Sequence, residues 1–314
     1  MKHGKRRQYE GVLSIPEGRS GRFAIRHVTK PPGCLPIANA RTAIIGGHET
    51  GNVHYDRETR WHQLHEKGVG TWMTDLPIEQ AWHDRELARV RSGSVLVGGL
   101  GLGYAALILA RRPRVTRAVV VEKSRHVIAL VEPALRASLG ALAPKLEVVH
   151  ADLFEYLKAR NEHRLRSGAY GYAGQTEFGW AFYDIWMSDG EGTFFDVVLP
   201  LIKGSLGVVK RQPICWNEDV MRGQLRFSIE SQLAFKRLAP NDGPSIEELS
   251  TPMPAGPYAK WHNWFVPFFE WVRLTNPSDN SLITGAAFYS RFYGSWGWPA
   301  CWSDFTEAGR SSQP

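Results

Sequence analysis

The fold is decided by one stretch of the chain, Val95-Leu96-Val97-Gly98-Gly99-Leu100-Gly101-Leu102-Gly103. Three apolar residues followed by glycines are typical of a short buried strand that ends in a tight turn. Glycines at such a turn let the backbone approach a ligand closely, because no Cβ stands in the way. The residues from Tyr104 to Arg111 then have helical spacing, and a helix that starts there directs backbone amides at the same ligand. The stretch therefore predicts a strand, a turn that binds a ligand, and a helix.

Apolar strands and amphipathic helices continue to alternate on the carboxyl side of this stretch. Further strands are predicted at residues 118–121, 146–149 and 182–186, and further helices at residues 126–139 and 153–160. Strands that alternate with helices at this spacing form βαβ units, in which the strands are parallel and the helices cover both faces of the sheet. The predicted fold class is therefore α/β, with a doubly wound, mostly parallel sheet.

Local composition divides the chain into three predicted regions. Residues 1–90 are rich in glycine, proline and arginine, and they predict a small β-rich region that ends in a helix. Pro77 suits the first turn of that helix and Asp75 is a candidate cap. Residues 91–240 contain the alternation of strands and helices. Residues 241–314 combine prolines with a dense group of aromatic residues, which predicts an irregular extension packed on the core.

The overall composition narrows the class of protein. Of the 314 residues, 43% are hydrophobic and 22% are charged, which excludes a disordered or fibrous chain. The three cysteines form no close pair, which argues against a disulfide scaffold and a thiolate zinc site and favours a cytoplasmic protein. No apolar run is long enough to span a bilayer, so we expect no membrane association. The net charge of +7 permits a nucleic-acid partner without naming one, and a homodimer is compatible with the sequence.

The glycine turn fits more than one kind of ligand. The dinucleotide pattern Gly-x-Gly-x-x-Ala is matched loosely from Gly101 to Ala106, several residues beyond the end of the strand. Alternatively, Gly99, Gly101 and Gly103 stand at alternate positions, as they do in class I S-adenosylmethionine (SAM) enzymes. A third interpretation needs no ligand, because glycines also let a helix pack tightly on a strand.

Two acidic residues follow the next predicted strands. Glu122 ends the second strand, where a carboxylate can accept two hydrogen bonds from the hydroxyls of a ribose. Asp152 comes just after the third strand, where it can accept from the amino group of an adenine. Ligands of open α/β sheets bind at the carboxyl ends of the strands. The turn and the two acids therefore predict a nucleoside site.

Three residues are candidates for acid–base work on an acceptor. Asp184 is the first candidate, because it lies at the end of the fourth predicted strand, and Asp189 and His83 follow. Two of them also have a structural interpretation: Asp184 can cap a turn, and His83 can be an ordinary surface histidine on a helix. The histidines are otherwise scattered, so we predict no metal site.

Around these residues the sequence resembles the class I SAM-dependent methyltransferases, and within them the branch that contains the spermidine synthases. The similarity extends from about residue 68 to 200 and includes an apolar residue, Val97, where ordinary methyltransferases have an acid. The segment Gly70-Thr71-Trp72-Met73-Thr74-Asp75, continuing through Glu79 to Trp82-His83, is similar to the lead-in of that branch. His150-Ala151-Asp152-Leu153-Phe154-Glu155-Tyr156-Leu157 is similar to its adenine-side motif. The branch has an aspartate inside the glycine turn, whereas this chain has Leu102.

The resemblance implies a Rossmann-like methyltransferase fold and a SAM-dependent transferase. The leading prediction is a methyltransferase that uses SAM as its cofactor and acts on a small-molecule or macromolecular acceptor. Aminopropyl transfer, as in a spermidine synthase, is the first alternative, and a nicotinamide-dependent oxidoreductase comes third. The non-enzymatic alternative is a degenerate Rossmann-like module that binds a nucleoside or a protein partner.

Overall fold

The computed structural model describes residues 13–36, 52–55, 57–166, 176–187, 193–218, 221, 246–249, 251–252 and 254. The chain divides into two compact units, residues 1–223 and residues 224–314. The predicted domain boundary at residue 240 and most of the predicted extension over 241–314 lie outside the described residues, so both stay predictions.

The first part of the larger unit consists of antiparallel strands, four in one sheet and two in a separate pair. Its strands are β1 (Gly18–Ser20), β2 (Phe23–Lys30), β3 (Gly33–Pro36), β4 (Asn52–Tyr55), β5 (Thr59–Glu66) and β6 (Gly70–Thr74). Strands β1, β2, β5 and β6 lie side by side in that order, and β3 pairs with β4 separately. The β1–β2 hairpin contacts the parallel sheet's helical layer, where the Ser20 hydroxyl lies 3.0 Å from Nδ1 of His126. The predicted β-rich region is therefore a sheet that packs on the rest of the unit.

Helix α1 (Pro77–Leu87) follows this sheet, and the prediction that Asp75 caps it is wrong. Pro77 stands in its first turn as expected, but Leu76 is the cap residue and no side chain caps the helix. The Asp75 carboxylate instead accepts from the backbone amide and from Nδ1 of His62, at 2.6 and 2.7 Å. Pairing of β6 with β5 places Asp75 beside His62, and two buried hydrogen bonds to a carboxylate are worth more than one exposed cap.

The second part of the unit is the predicted α/β layer structure. Its elements are β7 (Gly93–Gly98), α2 (Tyr104–Arg111), β8 (Val115–Glu122), α3 (Arg125–Leu139), β9 (Leu146–His150), α4 (Leu153–Arg166), β10 (Trp180–Tyr183), α5 (Leu199–Gly204) and β11 (Ile214–Cys215). All five strands are parallel and lie in the order β11-β10-β7-β8-β9. This architecture confirms the predicted α/β fold class with a doubly wound parallel sheet.

Apolar side chains on both sides of the parallel sheet hold these layers together. Strand β8 is buried on both faces from Ala118 to Val121, as a central parallel strand must be. Helix α3 buries Val127, Val131, Leu135 and Leu139, which share one face because they recur every four residues. Complete burial of such a side chain contributes about 1.5–3 kcal/mol. The core therefore lies between the parallel sheet and its helices.

The segment Arg125–Lys145, which contains α3 and a following 3₁₀ turn, is apolar and long enough to cross a membrane by length and composition alone. Core helices of soluble proteins pass the same test. The buried face of α3 belongs to the core cluster of this unit. Ser124 caps the helix by accepting from the Val127 amide at 3.3 Å, and the helix ends at Gly140, as predicted.

Strand β10 differs from its predicted bounds in a way that matters for the site. The sequence predicts a strand at residues 182–186, but the observed strand starts two residues earlier and ends at Tyr183. The Asp184 amide still donates to the Gly98 carbonyl at 3.0 Å, and the chain then leaves the sheet. Asp184 therefore lies immediately beyond the strand, at the carboxyl edge of the sheet.

Candidate functional site

The glycine turn joins β7 to α2 at the carboxyl edge of the parallel sheet. Gly99, Gly101 and Gly103 have φ angles of 88°, 50° and 78°, which L-residues with a Cβ rarely adopt. The Gly99 amide donates to the Val121 carbonyl at 2.9 Å, and the Gly103 amide donates to the Leu100 carbonyl at 2.8 Å. These hydrogen bonds anchor the turn to β8 and close it at the start of α2.

The three glycines differ in what surrounds them. A methyl group at Gly99 would lie 2.4 Å from the backbone oxygen of Asp184, and one at Gly103 would lie 2.8 Å from Cδ1 of Leu13. One at Gly101 would lie 2.2 Å from Sδ of Met73. Close packing against protein therefore accounts for glycine at positions 99 and 103, and at position 101 the close atom is the end of a methionine side chain. The interpretation of these glycines as packing residues stays open beside the ligand-binding one.

Glu122 ends β8 and reaches across to the turn. Its Oε2 accepts from the Leu100 amide at 2.8 Å, and its Oε1 accepts from the Ser124 amide at 2.7 Å. The side chain is partly buried. Each carboxylate oxygen has a second lone pair, so Glu122 can accept two more hydrogen bonds while it holds both amides. The structure thus brings together the turn and the acid that the sequence analysis placed in one nucleoside site.

Asp152 follows β9, the neighbour of β8, and begins helix α4. Its Oδ1 accepts from the Phe154 amide at 2.9 Å, and its Oδ2 lies 2.9 Å from Nζ of Lys123. Burial raises the pKa of Asp152, but the Lys123 ammonium and the Phe154 amide outweigh burial and hold the pKa below its usual value. Asp152 is therefore a charged hydrogen-bond acceptor, already engaged by the helix start. Its predicted adenine-side role stays a prediction.

His83 and Asp184, two of the three predicted acid–base residues, lie together. Nε2 of His83 is 3.4 Å from Oδ2 of Asp184, and Nδ1 of His83 is 2.9 Å from the Glu79 carbonyl oxygen. The imidazole stacks on the Trp216 ring, with centroids 4.0 Å apart. Burial alone lowers the pKa of His83, but the hydrogen bond and the charge of Asp184 outweigh it, and the pKa is raised above its ordinary value. His83 is thus buried inside the site and is not a surface histidine.

Glu79 is a third ionisable residue of this cluster, and the sequence analysis assigned it no role. Its Oε2 accepts from the Thr74 hydroxyl at 2.8 Å. Burial raises the pKa of Glu79 to about 7, against the Thr74 hydrogen bond and the charge of His83, which lower it. The sequence contained one usable signal, because residues four apart on a helix lie on one face. Glu79 and His83 have that spacing on α1.

Asp189, the remaining predicted acid–base residue, lies outside the described residues. Within the described ranges, no three His, Cys, Asp or Glu side chains come together as a group that could hold a metal ion.

Comparison with known proteins gives similarity at the level of the fold. No protein-family model matches the chain, and no curated protein sequence is similar to it. Among solved structures, spermidine synthase from Thermotoga maritima matches with 17% identity and a TM-score of 0.31, over 48% of this chain and 50% of that one. A Streptococcus mutans protein assigned to the SAM-dependent methyltransferases matches with 12% identity and a TM-score of 0.37, over 56% and 49%. TrmN from Thermus thermophilus matches with 18% identity and a TM-score of 0.32, over 50% and 42%.

The chain therefore spans about half the length of the structures it matches. These neighbours include SAM-dependent methyltransferases and a spermidine synthase, but their identities and TM-scores are too low to carry residue roles.

Proposed function

We propose that this chain is a SAM-dependent methyltransferase, with the nucleoside of SAM held at the glycine turn. The observation that carries the proposal is the position of Glu122, whose carboxylate stands over the turn at the carboxyl edge of the parallel sheet. Ligands of open α/β sheets bind at this edge. When bound, SAM supplies an electrophilic methyl group on a sulfonium, so the protein mainly orients the reactants and excludes water.

The residues present fit an adenosyl group. Glu122 would hold the ribose hydroxyls with the lone pairs that its two amide bonds leave over. Asp152 stands at the end of the adjacent strand and would accept from the adenine amino group. The obstruction at Gly101 is the sulfur of Met73. A methionine side chain is flexible, so this obstruction can move without any change of the backbone.

The second part of the proposal assigns roles to His83 and Asp184. His83 has a hydrogen-bond acceptor beside each ring nitrogen, the Glu79 carbonyl and the Asp184 carboxylate. This arrangement favours the imidazolium, because both nitrogens must then carry a proton. Asp184 is the more accessible partner, with a side-chain exposure of 19% against 6% for His83. We therefore infer that Asp184 accepts the proton that an acceptor loses, and that His83 orients the carboxylate.

Calorimetric titration with SAM tests the proposal. Wild-type protein is expected to bind SAM, and Glu122→Ala is expected to weaken binding by about 100-fold, because two hydrogen bonds to a charged group contribute about 3 kcal/mol. Glu58→Gln, which removes a charge from an exposed position before β5, is the matched control and should bind like the wild type. Circular dichroism checks that the variants fold. Equal affinity of Glu122→Ala and wild type would contradict the proposed site.

One observation favours a second candidate function, a degenerate Rossmann-like module without turnover. All three glycines of the turn are in tight contact with protein, and tight packing alone explains their presence. The same titration, repeated with decarboxylated SAM and NAD, separates the candidates. Binding of SAM alone supports methyl transfer, preference for decarboxylated SAM supports aminopropyl transfer, preference for NAD supports the oxidoreductase, and binding of none of the three supports the module.

A further inference from the structure

The side chain of Met73 covers the middle of the glycine turn. Met73 lies on β6, in the antiparallel sheet, and is partly buried. Its Sδ accepts a hydrogen bond from the Leu102 amide at 3.2 Å. The same sulfur lies only 2.2 Å from the position that a Cβ on Gly101 would occupy. The Met73 side chain therefore covers Gly101 and also accepts a hydrogen bond from the amide of the next residue.

The other two glycines of the turn face atoms that cannot move independently of the fold. Gly99 faces the backbone oxygen of Asp184, which belongs to the sheet edge, and Gly103 faces Leu13 and Val131 in the core. The side chains that face Gly103 are fully buried, whereas the one that faces Gly101 is unbranched and only partly buried. If the turn opens for a ligand, it opens at Gly101.

The hydrogen bond that Met73 accepts is weak and easily replaced. A thioether sulfur is a poor acceptor, whereas a carboxylate forms hydrogen bonds that are shorter and about twice as strong as neutral ones. The methionine arm of SAM carries a carboxylate, and decarboxylated SAM does not. A carboxylate is therefore able to displace the sulfur from the Leu102 amide, and an arm without one gains little by doing so.

We propose that Met73 is a displaceable cover of the binding site: its thioether closes the turn at Gly101 and is displaced by a nucleoside ligand whose arm carries a carboxylate, which then binds the Leu102 amide. This inference rests on the proposed function, and it favours the methyl donor over its decarboxylated form. The exchange also has a cost. Every ligand whose arm enters this space must first break the contact between Met73 and Leu102.

Binding measurements on Met73→Ala test the inference. This variant is expected to bind SAM roughly tenfold more tightly than wild type, since the ligand no longer displaces a hydrogen-bonded side chain. The affinity for 5′-methylthioadenosine, which lacks the arm, should not change. Met73→Leu keeps the bulk and loses the acceptor, so it should show a smaller gain for SAM and serves if Met73→Ala does not fold. Val69→Ala, an exposed residue of the same hairpin, is the control and should bind both ligands like wild type.

Methyl NMR of the wild-type protein gives a readout that needs no variant of the site. SAM is expected to shift the Met73 methyl resonance, while decarboxylated SAM and 5′-methylthioadenosine shift it less. If SAM binds but leaves both the Met73 resonance and the variant affinities unchanged, the inference is overturned and the proposed function stands. Equal gains for SAM and 5′-methylthioadenosine in Met73→Ala would also overturn it. Absence of SAM binding in every variant overturns the proposed function and this inference together.

Discussion

One histidine–aspartate pair lies in the antiparallel part and another lies at the carboxyl edge of the parallel sheet, and the two pairs differ in how the carboxylate is used. In the antiparallel part, Asp75 accepts from both the backbone amide and Nδ1 of His62, at 2.6 and 2.7 Å. Both side chains are less than 10% exposed. The Asp75 carboxylate thus joins the end of one strand to its neighbour, and both of its oxygens are engaged by the same residue.

At the edge of the parallel sheet, the pair of His83 and Asp184 is longer, at 3.4 Å, and its carboxylate is 19% exposed. Asp184 stands beyond the end of a strand, where parallel sheets bind ligands, whereas Asp75 leads directly from a hairpin into a helix. Proximity of an aspartate to a buried histidine is common to both pairs. The position of the carboxylate relative to the sheet edge distinguishes the pairs.

The largest expected difference between the two pairs is in the free energy of unfolding that is lost when the aspartate is replaced. Asp75→Ala should lower the free energy of unfolding by about 3 kcal/mol or more, because it leaves a buried amide and a buried imidazole without their partner. Asp184→Ala should lower it by about 1 kcal/mol, the value of one partly exposed hydrogen bond. Urea unfolding followed by tryptophan fluorescence measures both. Equal losses would remove the distinction between a structural and a functional pair.

The next largest effect is a change of the free energy of unfolding with pH, and it is expected only beside the pair of His83 and Asp184. Because burial raises the pKa of Glu79 from 4.5 to about 7, its neutral form favours the folded state, and that contribution is full below pH 4.5 and lost as the pH rises through about 7. Glu79→Gln mimics the neutral form. Its free energy of unfolding should rise relative to wild type between pH 4.5 and 8, by up to about 3 kcal/mol.

Unfolding measured across this pH range checks the effect of Glu79→Gln. The charges of His83 and Asp184 act on the pKa of Glu79. The same series in the Asp184→Asn background therefore measures how strongly Asp184 and Glu79 are coupled. Glu155→Gln, on the exposed face of α4, should run parallel to wild type at every pH. A difference between Glu79→Gln and wild type that stays constant with pH would contradict the assigned pKa.

The smallest effect is on the titration of one imidazole. Asp184→Asn should lower the pKa of His83, because the carboxylate that raises it is gone and burial, which lowers it, stays. Asp75→Asn, the matching change in the other pair, should leave the His83 titration where it is. NMR titration of the His83 ring protons measures both variants. A lowered His83 pKa in Asp75→Asn would mean that the two pairs are coupled.

Much of the parallel layer could be predicted from sequence, because its signals are local. Helix α2 has the predicted bounds, and α3 ends at Gly140 as predicted. Contacts between side chains on different elements were harder to predict. The sequence analysis proposed Asp75 as a helix cap, whereas the carboxylate binds His62, a residue 13 positions away on a neighbouring strand. It assigned no role to Glu79, because nothing in the sequence reports burial at that position.

By itself, the sequence determined the order of strands and helices, the glycine turn, and the acid at the end of β8, since apolar periodicity and glycine placement act over a few residues. Only the tertiary structure decided that Met73 lies against Gly101, that His83 meets Asp184, and that Glu122 holds two backbone amides. The contacts of Met73 and His83 join residues far apart in the chain. They depend on how the antiparallel sheet packs on the edge of the parallel one, which no local pattern specifies.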